Sequence, residues 1–222
     1  MPRFRDTRLY DLAAVTPLIL WYGLGVKGLI PQIALEAKEV WAGFAPALAF
    51  KLASQCVSLI FLGLQIVLFL VRRLPAAKHE GILPRLAALA GANLQLLFLA
   101  LPLAAPALAV SAVSTLLVVA GTGGAIVAAG WLGRSFSVFP QVRGLVTSGP
   151  YRFVRHPLYL TEIIATLGAM LQFAEPWSIL IALASLAAQF PRMHYEERIL
   201  AGTYPEYRDY AARTWRLVPG LY

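Results

Sequence analysis

GLVTSGPYRFVRHPLY, residues 144–159, sets Arg152, Arg155 and His156, two tyrosines (Tyr151, Tyr159) and two prolines (Pro150, Pro157) between two apolar runs. Proline fixes its own φ and disfavours helical geometry in the residue before it, so this stretch reads as a bend rather than a continued helix. Such a bend offers backbone donors and acceptors to a ligand, and fixed positive charge, a titratable ring and aromatic faces stand around it. A second polar cluster, FPRMHYEERIL at residues 190–200, follows the last apolar run. There Arg192 and Glu196 are four apart and share a helix face, while Glu197 points elsewhere. The two clusters are expected to face each other.

The composition around them is that of a membrane protein. Hydrophobic residues make up 59% of the chain and charged residues 14%, against about 25% charged in a soluble domain. The 222 residues carry no long polar linker, so one domain, 1–222, is expected. A net charge of +8 raises nucleic-acid binding in a soluble protein, but here the basic residues lie between apolar runs and read as topology signals. The single Cys56 forms no intrachain disulfide, and no Cys/His spacing suits zinc. Neither nucleic acid nor metal is expected as a partner.

Spanning roughly 30 Å of hydrocarbon takes about 20 apolar residues. Leu12–Ile30, Ala47–Val71, Leu83–Leu103 and Ala107–Leu132 reach that length. Leu158–Phe173 and Trp177–Phe190 are shorter, and the three residues 174–176 between them suggest a tight helical hairpin, spanning or re-entrant. The expectation is an all-α, polytopic membrane bundle of about six segments. With the N-terminus in the cytoplasm, Arg3, Arg5, Arg8, Arg72, Arg73, Lys78, Arg85, Arg134, Arg143, Arg152, Arg155, Arg192, Arg198, Arg208, Arg213 and Arg216 fall on one side. Only Lys27, Lys38 and Lys51 are left for the other, as the positive-inside rule requires. Both polar clusters then lie on the cytoplasmic side.

Three local features carry less. GTGGAIVAAG at residues 121–130 lacks the third glycine of a dinucleotide loop and sits in an apolar run, so Ala120, Gly124 and Ala128 read as a helix-packing seam. Gln55, Gln65, Asn93 and Gln95 are expected to hydrogen-bond across helices, with the lining of a substrate cavity as the alternative. His79 and Glu80 lack the second histidine of a zinc motif.

LVTSGPYRFVRHPLY, followed some forty residues later by RMHYEERIL and then by Tyr204, Tyr207 and Tyr210, resembles the C-terminal half of the isoprenylcysteine carboxyl methyltransferase family and its relatives among membrane phospholipid methyltransferases. The resemblance covers residues 133–219; the first 130 residues match only as generic membrane helices. It implies an all-helical membrane enzyme that binds S-adenosylmethionine in a cytosol-facing pocket, with a lipophilic or prenylated acceptor reaching it from the membrane lipid. Carried over by position, the cofactor contacts are Gln141, Leu145, Val146, Tyr151, His156, Pro157, Tyr159 and Glu196. Arg192 matches the arginine that the carboxyl methyltransferases use on their substrate, which makes it the catalytic candidate. Arg143 stands where those enzymes have a histidine, and the tyrosine-rich tail is one residue short, so Tyr207 and Tyr210 receive no role beyond packing.

Methyl transfer suits these residues. The cofactor's amino-acid end carries a carboxylate and an ammonium, which His156 with nearby backbone donors and Glu196 can meet. A carboxylate acceptor needs only alignment and desolvation, whereas an amine or thiol must lose a proton, with His156 or Glu197 as candidate bases. Three other readings stay open: methylation of a phospholipid amine or small thiol, a membrane reductase whose nicotinamide cofactor meets Arg143 and Arg152, and a non-enzymatic lipid-binding or transport protein.

Overall fold

The structure is a computed structural model that describes residues 7–221 apart from 44, 45, 79, 80, 103, 105, 140 and 174. Arg3, Arg5, His79 and Glu80 lie outside the described residues. Helix α1 spans Arg8–Ala42, α2 Pro46–Val71, α3 Ile82–Asn93, α4 Leu108–Leu132, α5 Pro157–Met170, α6 Trp177–Thr203 and α7 Tyr207–Arg213. A two-residue ribbon pairs β1, Ala77–Lys78, antiparallel to β2, Gln141–Val142. The protein is an all-helical membrane protein in which α1, α2 and Leu108–Ser135 are long and apolar enough to cross a bilayer. Their outward faces present Leu20, Leu24, Ile60, Val67, Leu116 and Val127, as helices do when lipid is the solvent and only their backbone bonds are closed internally.

The remaining apolar segments differ in detail from the six expected. The third is shorter: α3 gives way at Asn93 to a 3₁₀ stretch, Leu94–Ala100. Asn93 explains the break, because its Nδ2 donates to the Leu89 carbonyl at 2.9 Å and competes with the helix's own ladder. Helix α5 has 14 residues. Helix α6 does not stop at Phe190; it runs through Pro191 to Thr203, so the apolar run and the polar cluster form one continuous helix.

The closest packing in the bundle joins α4 to α5. A Cβ on Gly121 would lie 2.3 Å from the Ala165 backbone nitrogen, and one on Gly124 would lie 2.6 Å from the Thr161 methyl. Only glycine permits this approach, which places α5, and the bend that precedes it, against the membrane core. The expected seam is therefore real but turned on the helix: Gly124 and Ala128 belong to it, whereas Ala120 is exposed and Gly121 takes its place. The core continues through Val15, Tyr22, Phe69, Ala125, Ala129 and Phe136. Of the amides, Gln55 donates to Gln32 and Glu36 on α1, and Gln95 accepts from Thr166 on α5 at 3.1 Å.

Candidate active site

Pro150 opens a 3₁₀ turn, Gly149–Arg152, and Pro157 is the first residue of α5. Gly149 has φ +59°, and a Cβ there would meet the Trp131 ring at 2.4 Å, so the turn needs glycine on both counts. The backbone donors of the bend are not left for a ligand. Arg155 N–H donates to Trp215 O at 2.8 Å and His156 N–H to Arg216 O at 3.1 Å, while Trp215 N–H returns to Phe153 O at 3.1 Å. The C-terminal tail thus lies along the bend and closes it.

Glu197 joins the bend, α6 and the tail. Its Oε1 accepts from Arg155 Nε at 3.0 Å and lies 3.1 Å from His156 Nε2, and its Oε2 lies 3.2 Å from Arg216 Nε. Burial raises its pKa, but the His156 hydrogen bond and the charges of His156, Arg216 and Arg155 outweigh that and bring it down to about 2. A carboxylate so engaged is a structural hub, not a free base, and His156 Nε2 is occupied with it.

Glu196, one residue earlier, faces the other way and accepts the phenol of Tyr159. It borders a polar cleft of about 60 Å³ together with Gln141, Leu145, Val146, Tyr151, His156 and Tyr159. Seven of the eight residues expected at a cofactor site are thereby brought to one place; Pro157 does not line the cleft and serves to start α5. Tyr207 and Tyr210 also line it, although the sequence reading gave them packing alone. Tyr210 donates to the Tyr151 carbonyl at 2.7 Å. Tyr207 OH, Ser137 Oγ and Arg143 Nε are buried at the cleft without a hydrogen-bond partner among the described residues.

Behind this cleft lies a larger, mostly apolar cavity of about 580 Å³ between α1, α2, α4 and α5. The border between them alternates: from the end of the 3₁₀ turn Gly133–Ser135 onward, Ser135, Ser137 and Phe139 line the polar cleft, and Phe136 and Val138 line the cavity. Tyr159 borders the cleft. Its hydroxyl meets Glu196 in the cleft, and the Arg192 guanidinium lies 4.4 Å from its ring centroid. Arg192 itself borders the cavity rather than the cleft. It is 4% exposed, and its Nη1 donates to Glu162 Oε2 at 3.1 Å. Glu162 also borders the cavity, and the sequence reading missed it. The signal was present: a carboxylate within an apolar run three residues after Tyr159, which in a membrane segment marks a functional position by default.

Of the two arginines weighed for a nicotinamide cofactor, Arg143 is committed to the N-terminal helix. Arg143 grips Asp11 of α1 bidentately, Nη2 to Oδ1 at 2.7 Å and Nη1 to Oδ2 at 3.1 Å, and reaches Gln141 Oε1 at 2.6 Å. Arg72 joins the same carboxylate at 2.9 Å. This buried triad ties the N-terminal helix to the β2 side of the cleft. Arg152 is exposed and stacks on Phe153 at 4.3 Å. Arg143 is thus held by Asp11, whereas Arg152 stays exposed to solvent. Among the described residues no group of three His, Cys, Asp or Glu side chains is placed to share a metal ion.

Comparison with known proteins agrees with this architecture. The chain is 39% identical over 79 residues to the cobalt-zinc-cadmium resistance protein CzcN of Cupriavidus metallidurans, covering 35% of this chain and 36% of that protein. It is 41% identical over 80 residues to the nickel-cobalt-cadmium resistance protein NccN of Alcaligenes xylosoxydans xylosoxydans, covering 35% and 37%. The chain thus spans little more than a third of the length of these curated relatives. Residues 103–207, which include the bend, α5, α6 and the Glu196 cleft, match the family model for phospholipid methyltransferases. Over that segment, a little under half of the chain, the protein is similar to the phospholipid methyltransferases.

Proposed function

We propose that the protein transfers a methyl group from S-adenosylmethionine, held in the polar cleft, to a lipophilic acceptor whose chain occupies the apolar cavity. The observation that carries this reading is the pair of neighbouring compartments, one lined by charged and polar side chains and one mostly apolar, which share the alternating stretch 135–139 as a border.

The donor set at the cleft suits the cofactor. Glu196 supplies the negative charge an ammonium needs, and the buried Tyr207, Ser137 and Arg143 atoms without partners are polar groups that a ligand would satisfy. The cofactor brings an electrophilic methyl on a sulfonium; the protein's part is to align and to exclude water. The Tyr159 phenol donates to Glu196 and orients it, and the Glu197 hub fixes the ring of His156 beside Tyr159. Pockets for ligands of this size measure about 300–1,000 Å³. At about 60 Å³ the cleft is narrower than that, so binding has to widen it.

Titration of the purified protein with S-adenosylmethionine and, separately, with a reduced nicotinamide dinucleotide phosphate tests this assignment. Saturable binding of the first alone is expected. Binding of the nicotinamide alone would turn the reading to a reductase. The isoprenylcysteine carboxyl type, to which the motifs are most similar, rests on Arg192, and the Glu162 pairing bears on it directly.

A further inference from the structure

Trp131 stands in the last turn of α4, where Gly149 of the bend packs against its ring and the Tyr151 hydroxyl donates to Ala128 O at 3.3 Å. The bend therefore sits at the end of a membrane-crossing helix, at the depth where tryptophan marks the headgroup layer. At that depth Phe153 of the bend and Trp215 of the tail are 56% and 51% exposed. Backbone bonds hold the two segments together: Trp215 N–H donates to Phe153 O at 3.1 Å, and Arg155 N–H donates to Trp215 O at 2.8 Å. The Arg152 guanidinium lies 4.3 Å from the Phe153 ring centroid, Arg213 precedes Trp215 by two residues, and both arginines are exposed. None of these four side chains borders the cleft or the cavity. Exposed rings beside guanidiniums are poorly solvated by water alone, but they suit a membrane interface, where the rings sit among headgroups and the guanidiniums meet phosphates.

Charge on this face is one-sided. Pairing of β1 with β2 brings the α2–α3 connection to the same side as the α4–α5 connection, which contains the bend. Among the described residues on that side, Arg73, Arg134, Arg152, Arg198, Arg208 and Arg213 are exposed, against the exposed carboxylates Glu206 and Asp209. We propose that Arg152, Phe153, Arg213 and Trp215 form a docking surface for an anionic phospholipid headgroup of the adjoining leaflet, with the guanidiniums on its phosphate and the rings at the level of the glycerol. An anionic headgroup fits better than a zwitterionic one, because the ammonium of the latter adds positive charge to a face already rich in arginine. A lipid held by Arg152 and Arg213 together ties the tail to the bend, along the backbone contact that precedes His156. This surface is independent of the methyl-transfer reading, and its test uses no cofactor.

The test uses the full chain in liposomes of phosphatidylcholine and phosphatidylglycerol in equal parts, in which one lipid or the other carries bromine on its upper acyl chain. Bromine quenches tryptophan on contact, and the share due to Trp215 is the difference between the unaltered protein and Trp215→Phe. Brominated phosphatidylglycerol is expected to quench that share at least about threefold more than brominated phosphatidylcholine, and about 1 M salt should remove most of the preference. In the double variant Arg152→Gln with Arg213→Gln, the two lipids should quench about equally, while quenching by phosphatidylcholine persists because the ring still lies in the interface. Arginines that served only the fold would leave the lipid preference as it was. Equal quenching by the two lipids in the unaltered protein overturns the proposal, and so does a preference that survives in the folded double variant. If that variant does not fold, the salt series on the unaltered protein decides, and a preference unchanged by salt rejects the surface. Absence of any Trp215 quenching by either lipid would place the ring away from the bilayer and reject it as well.

Discussion

The Arg192 guanidinium lies 4.4 Å from the centroid of the Tyr159 ring, whose hydroxyl donates on its far side to Glu196. One aromatic side chain therefore links a cation in an apolar cavity to a carboxylate in a polar cleft. Helical spacing makes this possible. Arg192 and Glu196 are one turn apart on α6, and Tyr159 and Glu162 are three residues apart on α5, so the facing surfaces of two helices carry all four groups. Because α5 is pressed onto α4 at Gly121 and Gly124, the alignment is set by backbone contact rather than by the polar groups alone.

The two adjacent glutamates should separate cleanly. Glu196→Gln keeps a partner for the Tyr159 phenol and leaves the fold intact. If Glu196 holds the cofactor ammonium, its loss removes a charge-assisted hydrogen bond of about 1.5–3 kcal/mol, or roughly tenfold to over a hundredfold in affinity. Glu197→Gln instead leaves the partly buried Arg155, His156 and Arg216 without their common carboxylate, whose depressed pKa corresponds to about 3 kcal/mol. Cofactor titration and thermal unfolding of both variants check this. Equal effects on affinity with no difference in stability would contradict the division of roles.

Stability should depend on pH through the same hub. The folded pKa of Glu197, about 2, lies below its ordinary value of 4.5, so the unfolded chain takes up this proton first. Its stabilisation is complete above about pH 4.5 and is lost as pH falls from there toward 2. Unfolding temperatures of the unaltered protein and Glu197→Gln are expected to differ most at neutral pH and to converge below pH 4. A gap that widens on acidification would reverse the sign and reject the ion cluster.

Much of this was legible in the chain. The Pro150 and Pro157 bend, the shared face of Arg192 and Glu196, and the all-helical membrane character follow from proline geometry, helical spacing and composition, and the structure carries each of them. What stayed hidden depends on long-range partners. Arg143 reads as a nucleotide-facing cation until Asp11, 132 residues away in sequence, is found paired with it. Glu197 reads as a spare base until the tail folds back along the bend. Tyr207 and Tyr210 sit past a spacing irregularity, and only α7 turns them into the cleft. Glu162 stays hidden inside an apolar run because its partner, Arg192, lies 30 residues further along the chain.

The proposed orientation places the cleft on the cytoplasmic side, where the positive-inside pattern puts both polar clusters. Ser148 and Arg208 are exposed near the bend and the tail. Single cysteines at these positions in a Cys56→Ser background should react with a membrane-impermeant thiol reagent only after the cytoplasmic face is opened. Labelling of either from outside intact cells would place the cleft on the opposite side.

The most direct test of methyl transfer between the two compartments uses membranes that contain the protein, incubated with methyl-labelled S-adenosylmethionine and then extracted into organic solvent. Membranes with the unaltered protein should yield a labelled lipophilic product, and membranes with a folded Glu196→Gln variant should yield roughly a tenth of it or less at subsaturating cofactor. Label in the extract no greater than from membranes lacking the protein, at saturating cofactor, would contradict the account.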